Sequence, residues 1–269
     1  MVRSSHRPRH DCRYGHHSRL LRPGSRSMVR PGDRVSIIFD KLLLPGKAIA
    51  SAARRAAASG PDSRTLLFDS ASFTRQYFVR HWLFYRFHAI TSRFPYDHAD
   101  GVHDFTHASI YIDRREWEFG QRFMWRLLRK GYLKPLYNQI NPSTINLLDF
   151  GAGCGSYGPF EHAIDLLSDG SLILVPLRGH TIGQYGLLLN QPDGRRYFLM
   201  ADSVYVRANY RTLATGSWAS RLAHYNARLY ESLFPILRQL EESNPEMVCI
   251  PSHDSEAYEQ YVVDGPQPF

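Results

Sequence analysis

The 269-residue chain predicts a layered sandwich of strands and helices, of the α/β or α+β class. Two observations carry the prediction. Short apolar runs of strand length recur along the chain, separated by amphipathic segments of helix length. In the second half, apolar runs are joined by turn residues, so hairpins mix with helices, which argues against a doubly wound parallel sheet. A hydrophobic content of 43% is enough for one substantial core or two small ones.

Residues 1–35 stand apart. They hold nine Arg, no Lys and only Asp11 and Asp33 as acids, so they carry +7 of the net +8. Rich in Arg, His, Ser, Gly and Pro and lacking aliphatic periodicity, they read as a basic, disordered tail. An Arg- and Ser-rich, acid-poor start also fits a transit peptide, although an extension with no role in the fold is the plainer reading. Residues 36–269 read as one domain with a net charge of +1. A basic face for nucleic acid is therefore not expected on the domain, only on the tail. No run approaches the ~20 apolar residues of a membrane span. Cys12, Cys154 and Cys249 show no CxxC spacing. That argues against a disulfide scaffold or a thiolate zinc site and favours a reducing, cytoplasmic setting.

In chain order, SIIF (36–39), TLLFD (65–69), HAITS (88–92) and ASIYID (108–113) read as strands. Residues 48–58 and 74–87 read as helices, and Glu116–Lys130 as a clearer one stopped by Gly131. SLILVPL (171–177), QYGLLLN (184–190) and RYFLMAD (196–202) read as strands, the last two forming a hairpin through Gln191-Pro192-Asp193-Gly194. Ser217–Glu242 reads as one long amphipathic helix closed by Asn244-Pro245, and MVCIPSH (247–253) as a final buried strand.

Several polar residues stand where apolar strands end: His98, His180, Asp202 and His253. A strand fixes its backbone, so its end can project an imidazole or carboxylate into a cleft, and these are zinc-type ligands. In this setting, four motifs occur in order. They are Arg93-Phe94-Pro95-Tyr96-Asp97-His98 followed by Ala-Asp-Gly, Gly179-His180-Thr181-Ile182-Gly183, Ala201-Asp202-Ser203-Val204-Tyr205, and Pro251-Ser252-His253-Asp254. Together with DFTHASIYIDRREWE (104–118), they resemble the metallo-β-lactamase superfamily of metal-dependent hydrolases, over about residues 64–262. The N-acyl-homoserine-lactonase-like branch is the most similar.

The resemblance implies a four-layer αβ/βα sandwich, here with a shortened N-terminal half, and a cleft at one edge. It implies Asp97, His98, Asp202 and His253 as ligands of one metal site, with Asp202 the bridging carboxylate and His180 the surviving ligand of a second. The family motif HxHxDH is degenerate here, because Arg93 and Pro95 stand where two His ligands belong. Arg is a cation without an available lone pair and the proline side chain offers no donor atom, so one ion, zinc or another divalent metal, is expected rather than two. Tyr205 stands where lactonase relatives have a substrate-contacting Tyr, and Tyr205 and Asp97 are the candidate catalytic residues. The implied reaction is attack of metal-bound hydroxide on a small ester or lactone, impaired or mononuclear. The enzyme reading is weighed against two others. The first is an inactive metallo-β-lactamase-fold binding protein. The second is an S-adenosylmethionine-dependent methyltransferase, raised by NLLDFGAGCG (146–155), which needs a helix directly after the glycines.

Overall fold

The computed structural model describes residues 35–39, 64–68, 87–90, 109–122, 132, 134–138, 140–151, 153–191 and 194–258. Two sheets form the frame. The first consists of Val35–Phe39 (β1), Arg64–Phe68 (β2), Phe87–Ile90 (β3), Ser109–Asp113 (β4) and Ile145–Leu148 (β5), in the order β1-β2-β3-β4-β5 with every pair parallel. The second consists of Gly155–Tyr157 (β6), Phe160–Asp165 (β7), Leu172–Pro176 (β8), Tyr185–Asn190 (β9), Arg196–Ala201 (β10) and Met247–Pro251 (β11). Its order is β11-β10-β9-β8-β7-β6, antiparallel throughout except for the parallel pair β10–β11.

The described helices are Arg114–Gly120 (α1), Lys134–Tyr137 (α2), Arg207–Thr212 (α3), Trp218–Ala223 (α4), Ala227–Glu242 (α5) and Ser255–Tyr258 (α6). None of them is long and apolar enough to cross a membrane. The architecture is α+β, as expected from the sequence.

The continuous apolar strands of the second sheet are explained by burial on both faces. Along β8, Leu172 and Leu174 join one core while Ile173 and Val175 join another. Along β10, Tyr197, Leu199 and Ala201 point one way, and Phe198 and Met200 the other. The first core also takes Tyr111 from β4 and Leu148 from β5, so it fills the space between the sheets. The second core is closed by α5, whose buried Tyr230, Leu233, Phe234, Leu237 and Leu240 follow the spacing of one helix face. A side-chain period of 2 on the strands meets a period of 3.6 on the helix, and each sheet face finds its cover.

Several expectations need correction. The single helix Ser217–Glu242 is two helices, α4 and α5, broken at His224-Tyr225-Asn226. Asn226 caps α5 by accepting from the backbone N–H of Leu229, and the backbone N–H groups of Tyr225 and Asn226 bond elsewhere in the fold. Between Leu148 and Leu172, where the sequence predicts no strand, β6 and β7 form a hairpin that extends the second sheet. This also removes the helix that the methyltransferase reading needs after its glycines, because strand β6 follows them. Cys249 is a buried free thiol.

The helix predicted from Glu116 begins at Arg114 instead, because the Asp113 side chain accepts from the backbone N–H of Arg115 and caps it. The expected tail (1–35) and the helices at 48–58 and 74–87 lie outside the described residues, except that Val35 opens β1 and Phe87, expected at a helix end, opens β3; residues 91–108 also lie outside. So do Arg93, Pro95, Asp97 and His98.

Phe198 is fully buried and packs edge-on against Phe160 with ring centroids 6.1 Å apart. Phe198→Ala is expected to lower unfolding free energy by about 3–5 kcal/mol, read from a guanidinium titration.

Candidate active site

Strand polarity alone collects one set of polar residues. In the second sheet β8 and β10 are both antiparallel to β9, and β11 is parallel to β10. The C-terminal ends of β8, β10 and β11 therefore share one edge. The segment after β8 carries His180, the residue after β10 is Asp202, and His253 follows β11 by two residues.

The His180 loop is clamped from both sides, and its two glycines are the points of contact. Gly179 has φ +138°, and a Cβ there would lie 2.4 Å from the backbone nitrogen of Tyr230. Only glycine admits both that backbone angle and that approach. Its carbonyl accepts from the Asn226 N–H at 2.9 Å, and the His180 carbonyl accepts from the Tyr225 N–H at 2.8 Å. At the other end, a Cβ on Gly183 would lie 2.6 Å from Cβ of Glu116. The Gly183 N–H donates to Oε2 of the buried Glu116 at 2.9 Å, and Tyr132 Oη donates to Oε1 at 2.5 Å. Arg178 adds an ion pair to buried Asp113 at 3.3 Å. Burial pushes the Asp113 carboxyl above its usual range, against the opposing pull of Arg178.

Asp202 is held just as firmly. The residue before it, Ala201, has φ +48°, and the β10–β11 register shifts there, which turns the chain out of the strand. The fully buried Gln184 turns its amide oxygen to the backbone N–H groups of Asp202 and Ser203, at 2.9 and 2.6 Å. Next to it, the His253 N–H donates to the Tyr205 carbonyl at 3.2 Å, tying the ends of β10 and β11 together. Asp254 completes the clamp. Its Oδ2 accepts from Arg207 N and Nε at 2.7 and 3.1 Å, and its Oδ1 accepts from Ala257 N at 2.8 Å. Burial would raise the Asp254 carboxyl, but those N–H groups and the guanidinium outweigh it and hold the group below its usual range.

The side chains then meet. His253 Nε2 lies 3.1 Å from Asp202 Oδ2, and His180 Nε2 lies 3.9 Å from the same oxygen. The Tyr205 ring packs edge-on against both His180 and His253, with centroids 5.8 and 5.3 Å away, and its hydroxyl lies 3.5 Å from His180 Nδ1. Of the sequence-predicted residues, His180, Asp202, Tyr205 and His253 are thus brought together. Sequence reasoning missed His224, whose Nδ1 lies 2.9 Å from His180 Nδ1 and whose ring stacks on Tyr230 at 3.9 Å and 17°. Asn226, an N-cap residue just ahead of an apolar helical pattern, was the signal for the break that places it.

Two imidazoles around a carboxylate have the donor chemistry of a divalent metal site. As placed, His253 instead donates its Nε2 proton to Asp202. Among the described residues no group of three or more His, Cys, Asp or Glu is arranged to hold an ion.

Two outcomes test the clamp. Gly179→Ala is expected to cost about 3 kcal/mol or more in a urea titration, through strain and collision with the Tyr230 backbone. Asp254→Asn is expected to cost about 1–3 kcal/mol at pH 7. The sign follows from a folded-state pKa below the usual 3.8: the stabilisation is present above that value and is lost as pH falls through the lower one. The stability gap between wild type and Asp254→Asn should therefore close on acidification below about pH 4.

No family model and no curated protein matches the chain. Solved structures do. A quorum-quenching N-acyl homoserine lactone hydrolase is 18% identical, with 69% of this chain and 63% of that chain aligned at a TM-score of 0.50. A probable metal-dependent hydrolase from Staphylococcus aureus is 12% identical, with 69% and 62% aligned at 0.50. The chain spans less than two thirds of the length of either. What they share with it is the fold, and this chain has the α+β, metallo-β-lactamase-like architecture.

Proposed function

We propose that this chain is a hydrolase of a small ester or lactone, using one divalent ion held by Asp97, His98, Asp202 and His253. The observation that carries the reading is the convergence of three strand ends on one carboxylate oxygen, with the Tyr205 phenol beside them. The names of the structural neighbours, a lactone hydrolase and a metal-dependent hydrolase, support the same class. An ion at these donors supplies Lewis acidity and a water of lowered pKa. Zinc suits the mixed nitrogen and oxygen ligands.

The rest of the chemistry is done by side chains. Tyr205 donates its hydroxyl proton to the carbonyl oxygen of the substrate, where negative charge develops in the transition state. Asp202 is buried, while His253 is exposed, so substrate enters past His253. His180 stands in the neighbouring ligand position and acts through hydrogen bonds. Arg93 and Pro95 limit the site to one ion, because neither side chain can be a ligand.

The existing His253–Asp202 hydrogen bond favours one second reading, a binding protein of the same fold in which these two residues satisfy each other without a metal. Metal analysis and an ester and lactone panel separate the two. The hydrolase reading expects close to one equivalent of bound metal, lost with activity in Asp202→Ala and His253→Ala. It also expects Tyr205→Phe to lower kcat by about 10²-fold with metal retained. A metal-free chain with no hydrolysis on the panel would leave the binding-protein reading. In the double variant Arg93→His with Pro95→His, the metal content is expected to rise towards two.

A further inference from the structure

We infer that the segment from Leu213 to Leu229 is a docking face for an anionic lipid bilayer. The chain sits on the surface without spanning it, and Trp218 and Leu222 enter the apolar layer.

The exposed large apolar side chains among the described residues are Leu213, Trp218, Leu222, Tyr225 and Leu229, so all of them fall in this one segment. Trp218 is 77% exposed and Leu222 68%. They stand four positions apart on α4 and share one face of it. The Ser217 side chain caps α4 by accepting from the Ser220 N–H, yet no residue of the helix is buried. A helix this short is not stable through its own hydrogen bonds, and burial of an apolar face is what ordinarily holds one. Apolar exposure gathered in one place marks an interaction surface, whereas single exposed residues do not.

The charge around the face selects the partner. No Asp or Glu occurs from Ser203 to Tyr230, whereas Arg207, Arg211, Arg221 and Arg228 do. Arg207, Arg211 and Arg221 pair with Asp254, Glu241 and Glu231, and Arg228 is exposed. Residues 1–35 add +7. Trp, Tyr and Leu beside basic residues form the composition of an interfacial element. Stable attachment takes two signals, and a polybasic segment attracted to anionic headgroups is the second. A second copy of the chain fits less well, because a twofold contact would set this acid-free face against itself, arginine against arginine.

The face adjoins the candidate site. Tyr225, with its side chain exposed, donates its N–H to the His180 carbonyl, and the His224 ring before it packs 5.1 Å from that of His180. A docked bilayer therefore lies beside the segment that carries His180. The docking itself does not depend on the hydrolase reading.

The test uses the full-length protein with vesicles of phosphatidylcholine, pure or mixed with phosphatidylglycerol. The wild type is expected to co-sediment with the mixed vesicles and to bind the pure ones at least about 10-fold more weakly. Brominated acyl chains are expected to quench the part of the tryptophan emission that Trp218→Phe removes. The double variant Trp218→Ser with Leu222→Ser is expected to bind about 10–100-fold more weakly, with its urea unfolding unchanged because neither side chain is buried. Arg228→Gln is expected to weaken binding about 5-fold. Several results overturn the inference: no binding to the mixed vesicles, co-sedimentation with Trp218 unquenched, which would leave residues 1–35 as the sole tether, or vesicle binding unaltered in the double variant. A wild-type dimer that the double variant splits also overturns it, since the face would then join two copies. Vesicle binding needs no turnover, so an inactive chain would defeat the hydrolase reading and leave the docking face standing.

Discussion

Two backbone hydrogen bonds organise the site: from Tyr225 to the carbonyl of His180, and from Asn226 to the carbonyl of Gly179. They cannot form unless the helical run is interrupted, because inside a continuous helix those N–H groups would be committed to the preceding turn. They also cannot form unless residue 179 lacks a side chain, since the Tyr230 backbone fills the space where a Cβ would be. The glycine, the helix break and the cap at Asn226 are therefore one structural device. Its product is a histidine loop seated on the N-terminal end of a well-packed helix.

Around that device, the polar residues of the edge are held by buried polar partners. Gln184 holds Asp202, Glu116 holds Gly183, and Asp254 holds Arg207. A buried polar group left unmatched is costly, so each of these pairings resists displacement. The consequence is a site whose first residues are set by second ones deep in the sheet edges. Glu116 and Arg178 extend this to the first sheet, so the loop carrying His180 also ties the two sheets together.

Legibility in the sequence varied with how a segment is buried. β8, β9 and β10 were readable because both of their faces are covered, giving runs of consecutive apolar residues. β6 was not, because it is three residues long and lies exposed or half-buried at the sheet end. In β7, Glu161 and His162 interrupt the apolar pattern. The α4–α5 region misled for the opposite reason. Trp218, Leu222 and Leu229 are apolar at helical spacing yet exposed, so periodicity continued across a break that packing does not respect. At the site, His180, Asp202 and His253 could be seen as strand-end residues, whereas His224 lay within an apparent helix.

The sequence by itself determined which strands bury both faces, where they end and which polar residues those ends carry, because hydrophobic period and turn chemistry are local. It also places Arg93 and Pro95, side chains that do not bind a metal, where the resemblance leads one to expect two His ligands. Only the tertiary structure decided that three strand ends meet on one carboxylate, since that depends on strand polarity within the sheet. Only the tertiary structure decided that His224 faces His180, because that depends on the backbone hydrogen bonds from Tyr225 to His180 and from Asn226 to Gly179, which no local pattern encodes.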